Sequence, residues 1–275
     1  MDFKHLIIDQ QKGICIVTLN RPDRLNALNE QLINELATTF EMVANDERAR
    51  VLVVTGAGRA FCAGGDFAFG DVRAGSIAAE NAENMSYDDY LLRGHLFRGM
   101  QGVILALRKL EIPTIAMVNG PAVGAGFDLA LACDLRTGSK KARFMVALTR
   151  MGLNPGVLGG AWLLPRVIGL SRALDLFFTA RFCEAEEAYR IGLLDRLGSE
   201  DELEKATMDL AQNLAKGPPI SLRLAKMQAY KGCEIDFETA VALGHACKNI
   251  CLRSEDHKEG IKAFAEKRPP EFKGK

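Results

Sequence analysis

The stretch Asn119-Gly-Pro-Ala-Val-Gly-Ala-Gly-Phe-Asp128 comes after the apolar run Thr114 to Val118 and leads into Leu129-Ala-Leu-Ala132. A short apolar run stopped by glycine and proline reads as a buried strand, and the segment from Gly124 to Ala132 reads as a helix with a carboxylate in its first turn. About sixty residues earlier, Val51-Leu-Val-Val-Thr runs through Gly56 into Arg59-Ala-Phe-Cys-Ala-Gly-Gly-Asp66. The plan is the same: apolar strand, small residues, carboxylate. Small residues let a ligand come within reach of backbone N–H groups, and a helix N-terminus adds positive dipole there. Two N–H groups converging on one point would form an oxyanion hole. Tight turns with close helix–strand packing would use the same residues.

Working outward, Phe3 to Ile8 and Ile14 to Leu19 read as a hairpin around Lys12-Gly13. Asn29 is placed to cap a helix in which Leu32, Ile33, Leu36, Phe40 and Val43 recur at helical spacing. Residues 67 to 87 are polar and aperiodic, as in a surface loop. A helical period returns from Tyr90 to Leu110, and Ile112-Pro113 stops it before the strand at Thr114. Beyond Asp134 to Thr137, a further strand, the segments Ala161 to Ile168 and Arg172 to Phe178 read as helices. The alternation argues for an α/β core over residues 1–195. After Leu197 the strand signal stops, and four helical segments with Gly-Pro-Pro at 217 to 219 make up a helical region, 196–275.

The 275 residues are 48% hydrophobic and 25% charged, with 35 Lys+Arg against 35 Asp+Glu, a composition that specifies a folded soluble chain. Zero formal net charge supplies no field to draw a polyanion, so nucleic acid is not expected as a partner. Seven cysteines without a C-x-x-C pair point to reduced thiols and a cytoplasmic setting. The uncharged stretch Ile112 to Phe127 is broken by Pro113, Asn119, Gly120 and Pro121, which argues against a membrane span. Dinucleotide fingerprints fail, because Phe61 and Leu129 stand where the third glycine belongs. There is no P-loop, no G-x-S-x-G elbow, and no His or Cys spacing that would hold a metal.

The paired turns, with the segments around them, resemble the enoyl-CoA hydratase/isomerase family, the crotonase superfamily. The resemblance begins at Asn20-Arg-Pro-Asp-Arg-Leu-Asn-Ala-Leu-Asn29 and continues through Phe61 to Asp66 and Val118 to Asp134. It ends with Gly152-Leu-Asn-Pro-Gly156, Leu163 to Gly169, Ala185 to Gly192 and the tail Asp256 to Phe272. It implies an α/β spiral of repeated ββα units, with a C-terminal helical region that packs trimers, often paired into hexamers. It also implies acyl-CoA thioester substrates whose enolates are stabilised at the carbonyl, with no cofactor beyond the coenzyme A that the substrate carries.

By motif position the oxyanion donors implied are the N–H groups of Ala63 and Ala125. Coenzyme A is expected along the loop Arg24, Leu25, Asn26 and Ala27 and the turn from Ala63 through Asp66 to Phe67, with Arg24 on a phosphate. Phe264 and Lys267 resemble positions that approach it from a neighbouring subunit. Family hydratases use two glutamates; here Asp128 stands at the first place and Leu148 at the second. Asp128 is therefore the expected acid/base, and Phe144, Leu148 and Trp162 are expected to wall the acyl group. Enoyl-CoA hydration is the leading expectation, on how common it is in the family. Double-bond isomerisation is the nearest rival, because a single carboxylate can carry a proton between two carbons. Thioester hydrolysis or decarboxylation comes third, and a CoA-binding scaffold without chemistry is the rival of another class.

Overall fold

The computed structural model describes residues 3–66 and 95–275, so the segment read as a surface loop lies outside it. The chain opens with β1 (Leu6–Gln11) and β2 (Ile14–Leu19), an antiparallel hairpin turning at Lys12 and Gly13, both with positive φ. A 3-10 turn at Pro22–Arg24 leads to α1 (Glu30–Asn45), where the Asn29 side chain accepts from the Leu32 N–H at 2.9 Å, as a capping residue should. There follow β3 (Val51–Gly56), α2 (His95–Lys109), β4 (Thr114–Val118), β5 (Pro121–Val123), α3 (Ala125–Ala132), β6 (Leu135–Ser139) and β7 (Arg143–Met145). A 3-10 segment at Ala147–Met151 precedes α4 (Gly160–Ile168), α5 (Leu170–Thr179), β8 (Cys183–Glu184), α6 (Ala185–Arg190) and β9 (Arg196–Gly198). The last elements are α7 (Glu200–Ala215), α8 (Pro219–Gly232), α9 (Phe237–Leu252) and α10 (Glu255–Glu266).

The main sheet runs β1-β2-β3-β4-β6-β9, parallel from β2 onward. Because spatial order follows chain order, every crossover advances the same way, which is the spiral that the resemblance implies. A second sheet, β5-β7-β8, stands apart from it. The alternating side-chain directions of a strand explain the unbroken apolar run at Val51. Leu52 and Val54 face the large core with Leu36, Phe40 and Phe61, while Val51 and Val53 face Leu210 and Ala211 of α7. β9 lies just beyond the division expected at residues 195/196, and α7 covers the sheet's second face.

Helix α8 is docked through a polar knot at the far end of α3. The Asp134 carboxylate accepts from the Thr114 N–H at 2.8 Å, the Thr114 hydroxyl at 3.0 Å, Lys226 Nζ at 2.7 Å and the Tyr230 hydroxyl. Arg108 of α2 stacks 3.5 Å from the Tyr230 ring centroid. Past this knot, Phe237, Val241, Ile250, Ile261 and Phe264 of α9 and α10 are exposed. Among the described residues, no helix is long and apolar enough to cross a membrane.

Candidate active site

The two glycine-rich turns lie side by side. Cys62 pairs with Ala122 in a parallel bridge, and the Val123 N–H donates to the Cys62 carbonyl at 2.9 Å. A methyl group on Gly126 would stand 2.3 Å from the Cys62 carbonyl oxygen, and one on Gly64 would stand 2.8 Å from that of Val123. Both glycines are thus required by backbone approaching backbone, and Gly64 also carries φ +99°. The packing account of these glycines holds, and the same packing brings the first turn to the N-terminus of α3.

Peptide geometry decides which N–H groups face outward. A trans peptide directs its C=O and N–H to opposite sides. The Gly64 carbonyl accepts from the Leu28 N–H at 2.7 Å, so the Gly65 N–H of that same peptide points away from the loop at 25–28. The Gly124 carbonyl accepts from the Asp128 N–H at 3.0 Å inside α3, so the Ala125 N–H points out of the helix end. Neither N–H has an acceptor among the described residues. Ala63, the donor expected from motif position, is different. Its N–H is taken by the Leu25 carbonyl at 2.9 Å, so the outward N–H of the first turn is that of Gly65 instead. The methyl of Ala125 is tolerated because the residue is the first of a right-handed helix and its side chain is buried in the core.

Asp128 sits in the first turn of α3 and is only 6% exposed. Among the described residues its carboxyl accepts no hydrogen bond, and burial pushes it up to about 8. Its Oδ1 lies against the start of α4, where a methyl on Gly160 would stand 2.3 Å away. Leu148, in the 3-10 segment, is buried and can neither give nor take a proton. Beside it the Thr149 hydroxyl is buried without a hydrogen-bond partner among the described residues, while Arg150 is exposed. The other two residues expected at the acyl wall differ in their surroundings. Phe144 has no exposed surface and packs 5.1 Å from the Phe127 ring inside the core, because β7 turns it inward. Trp162 is 38% exposed on the outside of α4, with Arg166 at 3.8 Å from its ring centroid and Arg108 at 5.7 Å.

A family model described as enoyl-CoA hydratase/isomerase matches residues 9–275. The chain belongs to that family. It is 36% identical over 266 residues to the 1,2-epoxyphenylacetyl-CoA isomerase of Escherichia coli, covering 96% of this chain and 97% of the other. It is 33% identical to the short-chain-enoyl-CoA hydratase of Clostridium acetobutylicum, over 98% of this chain and 97% of the other. A crystal structure of the enoyl-CoA hydratase from Bacillus anthracis superposes with a TM-score of 0.88 at 31% identity, covering 99% and 100% of the two chains.

Within this hydratase/isomerase fold, the residues expected along coenzyme A fall in several places. Arg24 is exposed and has no ion pair among the described residues, and Leu25 and Ala27 lie on the same loop. Asp66 does not stand free for a ligand: its carboxylate pairs with Arg21 at 2.7 Å. Phe67 lies outside the described residues. Phe264 and Lys267 are exposed at the end of α10. Sequence reasoning gave Arg21 no role and placed Asn26 only within the loop expected along coenzyme A. Asn26 is fully buried with φ +57°, and its amide donates to the Ala57 and Ala60 carbonyls at 2.9 and 2.8 Å. Its place within the N-R-P-x-x-x-N segment was the available signal.

Proposed function

We propose that the protein polarises the thioester carbonyl of an enoyl-CoA with the Gly65 and Ala125 N–H groups and isomerises its double bond with Asp128 as the proton carrier. The Asp128 carboxylate removes a proton from Cα of a 3-enoyl ester. The dienolate charge rests on the oxygen in the hole, and the same carboxyl returns a proton at Cγ, giving the 2-enoyl ester. The observation that carries this reading is the buried Asp128 carboxyl, without a hydrogen-bond partner among the described residues, on the helix whose first N–H, that of Ala125, points out of the helix end, with leucine in the place of a second acid. A carboxyl held near 8 is a better base than an ordinary one, which suits abstraction from carbon.

Hydration is the second reading. The unpaired Thr149 hydroxyl beside Leu148 could hold a water, because buried polar groups seek partners. The hydratase names of several relatives point the same way. The rest of the site is assigned by resemblance: coenzyme A along Arg24, Leu25 and Ala27, with Phe264 and Lys267 reaching it from a neighbouring subunit of a trimer or a dimer of trimers. The exposed apolar residues of α9 and α10 support that assembly, and seven free thiols support a cytoplasmic setting. The reaction as written needs no cofactor beyond the coenzyme A of the substrate.

The test is mass spectrometry of 2-enoyl-, 3-enoyl- and dienoyl-CoA esters incubated with the protein in heavy water. A regioisomer without added water, whether it carries deuterium or the substrate's own proton, supports the proposal. Gain of one water by a 2-enoyl ester replaces it with hydration. Binding without turnover of any ester makes the protein a scaffold.

A further inference from the structure

We infer that Arg21 is a positioning residue for the oxyanion hole, acting through Asp66 to hold the Gly65 N–H in place. The turn that carries this donor contains two consecutive glycines, Gly64 and Gly65, and so has little orientation of its own. Its order comes from the facing loop. Ala63 N–H bonds to the Leu25 carbonyl, Leu28 N–H to Gly64, and Asp66 N–H to Leu28 at 2.9 Å. The Cys62 thiol lies 3.1 Å from the Asn26 carbonyl. That loop is itself in a costly conformation, with Leu25 and Asn26 both at positive φ, +50° and +57°.

Arg21 clamps both ends of the arrangement. Its Nη1 donates to the Ala27 carbonyl and its Nη2 meets the Asp66 carboxylate at 2.7 Å, the two side chains being 12% and 22% exposed. Its own backbone N–H donates to the Asn26 side chain at 2.9 Å, and its carbonyl accepts from the Asn26 N–H at 2.9 Å. One guanidinium fork therefore ties the strained loop to the residue just after the donor. A lysine can meet the carboxylate but cannot reproduce the fork. Interactions with the oxyanion are worth more in the transition state than in the bound substrate, so loosening the clamp should lower kcat more than it raises KM.

The inference rests on the thioester reading above, and the experiment separates the two. The full-length protein is prepared as wild type, Arg21→Gln, Arg21→Lys, Asp66→Asn and the Arg21→Gln/Asp66→Asn double variant. Each is checked for fold by circular dichroism and thermal melting. Steady-state kinetics are measured with the enoyl-CoA that wild type turns over, alongside the infrared carbonyl stretch of bound butyryl-CoA labelled with 13C at the thioester. The expected result is a roughly tenfold loss of kcat in each Gln or Asn variant, with KM within about twofold, a partial loss in Arg21→Lys, and a double variant no worse than the singles. The downshift of the carbonyl stretch on binding should shrink in the same order. Unchanged kcat with a raised KM, additive losses in the double variant, or an undiminished infrared shift in folded variants would each overturn the role of Arg21. A wild type that polarises the carbonyl in the infrared but turns over no ester removes the isomerase reading and leaves the clamp to be judged by the infrared series alone. Arg21→Lys and Asp66→Asn keep the test decisive should Arg21→Gln not fold.

Discussion

Helix α3 has an aspartate at each end of its span, and the two could hardly be treated more differently. Asp134, just past the C-terminus, is saturated by Thr114, Lys226 and Tyr230. Asp128, near the N-terminus, is buried with no hydrogen-bond partner among the described residues. A carboxylate whose lone pairs are satisfied by neighbouring donors serves architecture. One that has lost water and gained nothing keeps its affinity for a proton, and that affinity is what acid/base chemistry needs.

The sharpest way to break the comparison is Asp128→Asn, which should cost at least about a hundredfold in rate while the chain stays folded. The pH profile comes next. If Asp128 must be ionised to act, kcat/KM should rise about tenfold per pH unit towards a midpoint of about 8 and then level off, and a profile flat from pH 6 to 9 would remove it as the base. Stability should run the opposite way. With a folded value of about 8 against an ordinary 3.8, the native chain holds a proton that the unfolded chain has released, so stability falls as pH rises between these values. Asp128→Asn should therefore melt a few degrees higher than wild type at pH 8, by calorimetry.

At the other end of the helix, Asp134→Asn should lower stability by about 2 kcal/mol in denaturant unfolding, because Lys226 keeps its charge and loses its partner. It should leave kcat within about twofold. The smallest effect belongs to Trp162→Phe: KM across a series of acyl lengths should stay within about twofold, as expected of a side chain outside the site. A selective loss for long chains would return Trp162 to the acyl wall.

Much of this contrast is legible in the amino-acid order, and the illegible part has a physical reason. Local signals hold: the Asn29 cap, the buried run at Val51 and the helix opening at Gly124 each depend on neighbours within a few residues. The short strands β5, β7 and β8 escape a sequence reading, because two or three residues carry no measurable period and their pairing is decided by distant partners. Asp134 cannot be told from Asp128 by sequence, since Lys226 and Tyr230 lie more than ninety residues further on. The shift from Ala63 to Gly65 has another origin. A motif fixes which residues form a turn, but the side to which each peptide points is set by what its carbonyl bonds to, here Leu28. Phe144 is likewise turned inward by strand pairing with Ala122 and Cys183.

Trp162 is the single tryptophan of the chain and stands two residues beyond Gly160, the residue that touches Asp128. Its indole lies close to two guanidinium groups, partly in water, on the helix whose first residue touches the acid. The protein therefore carries an optical reporter of its own: tryptophan emission, excited without any label, reads the surroundings of the helix that touches Asp128.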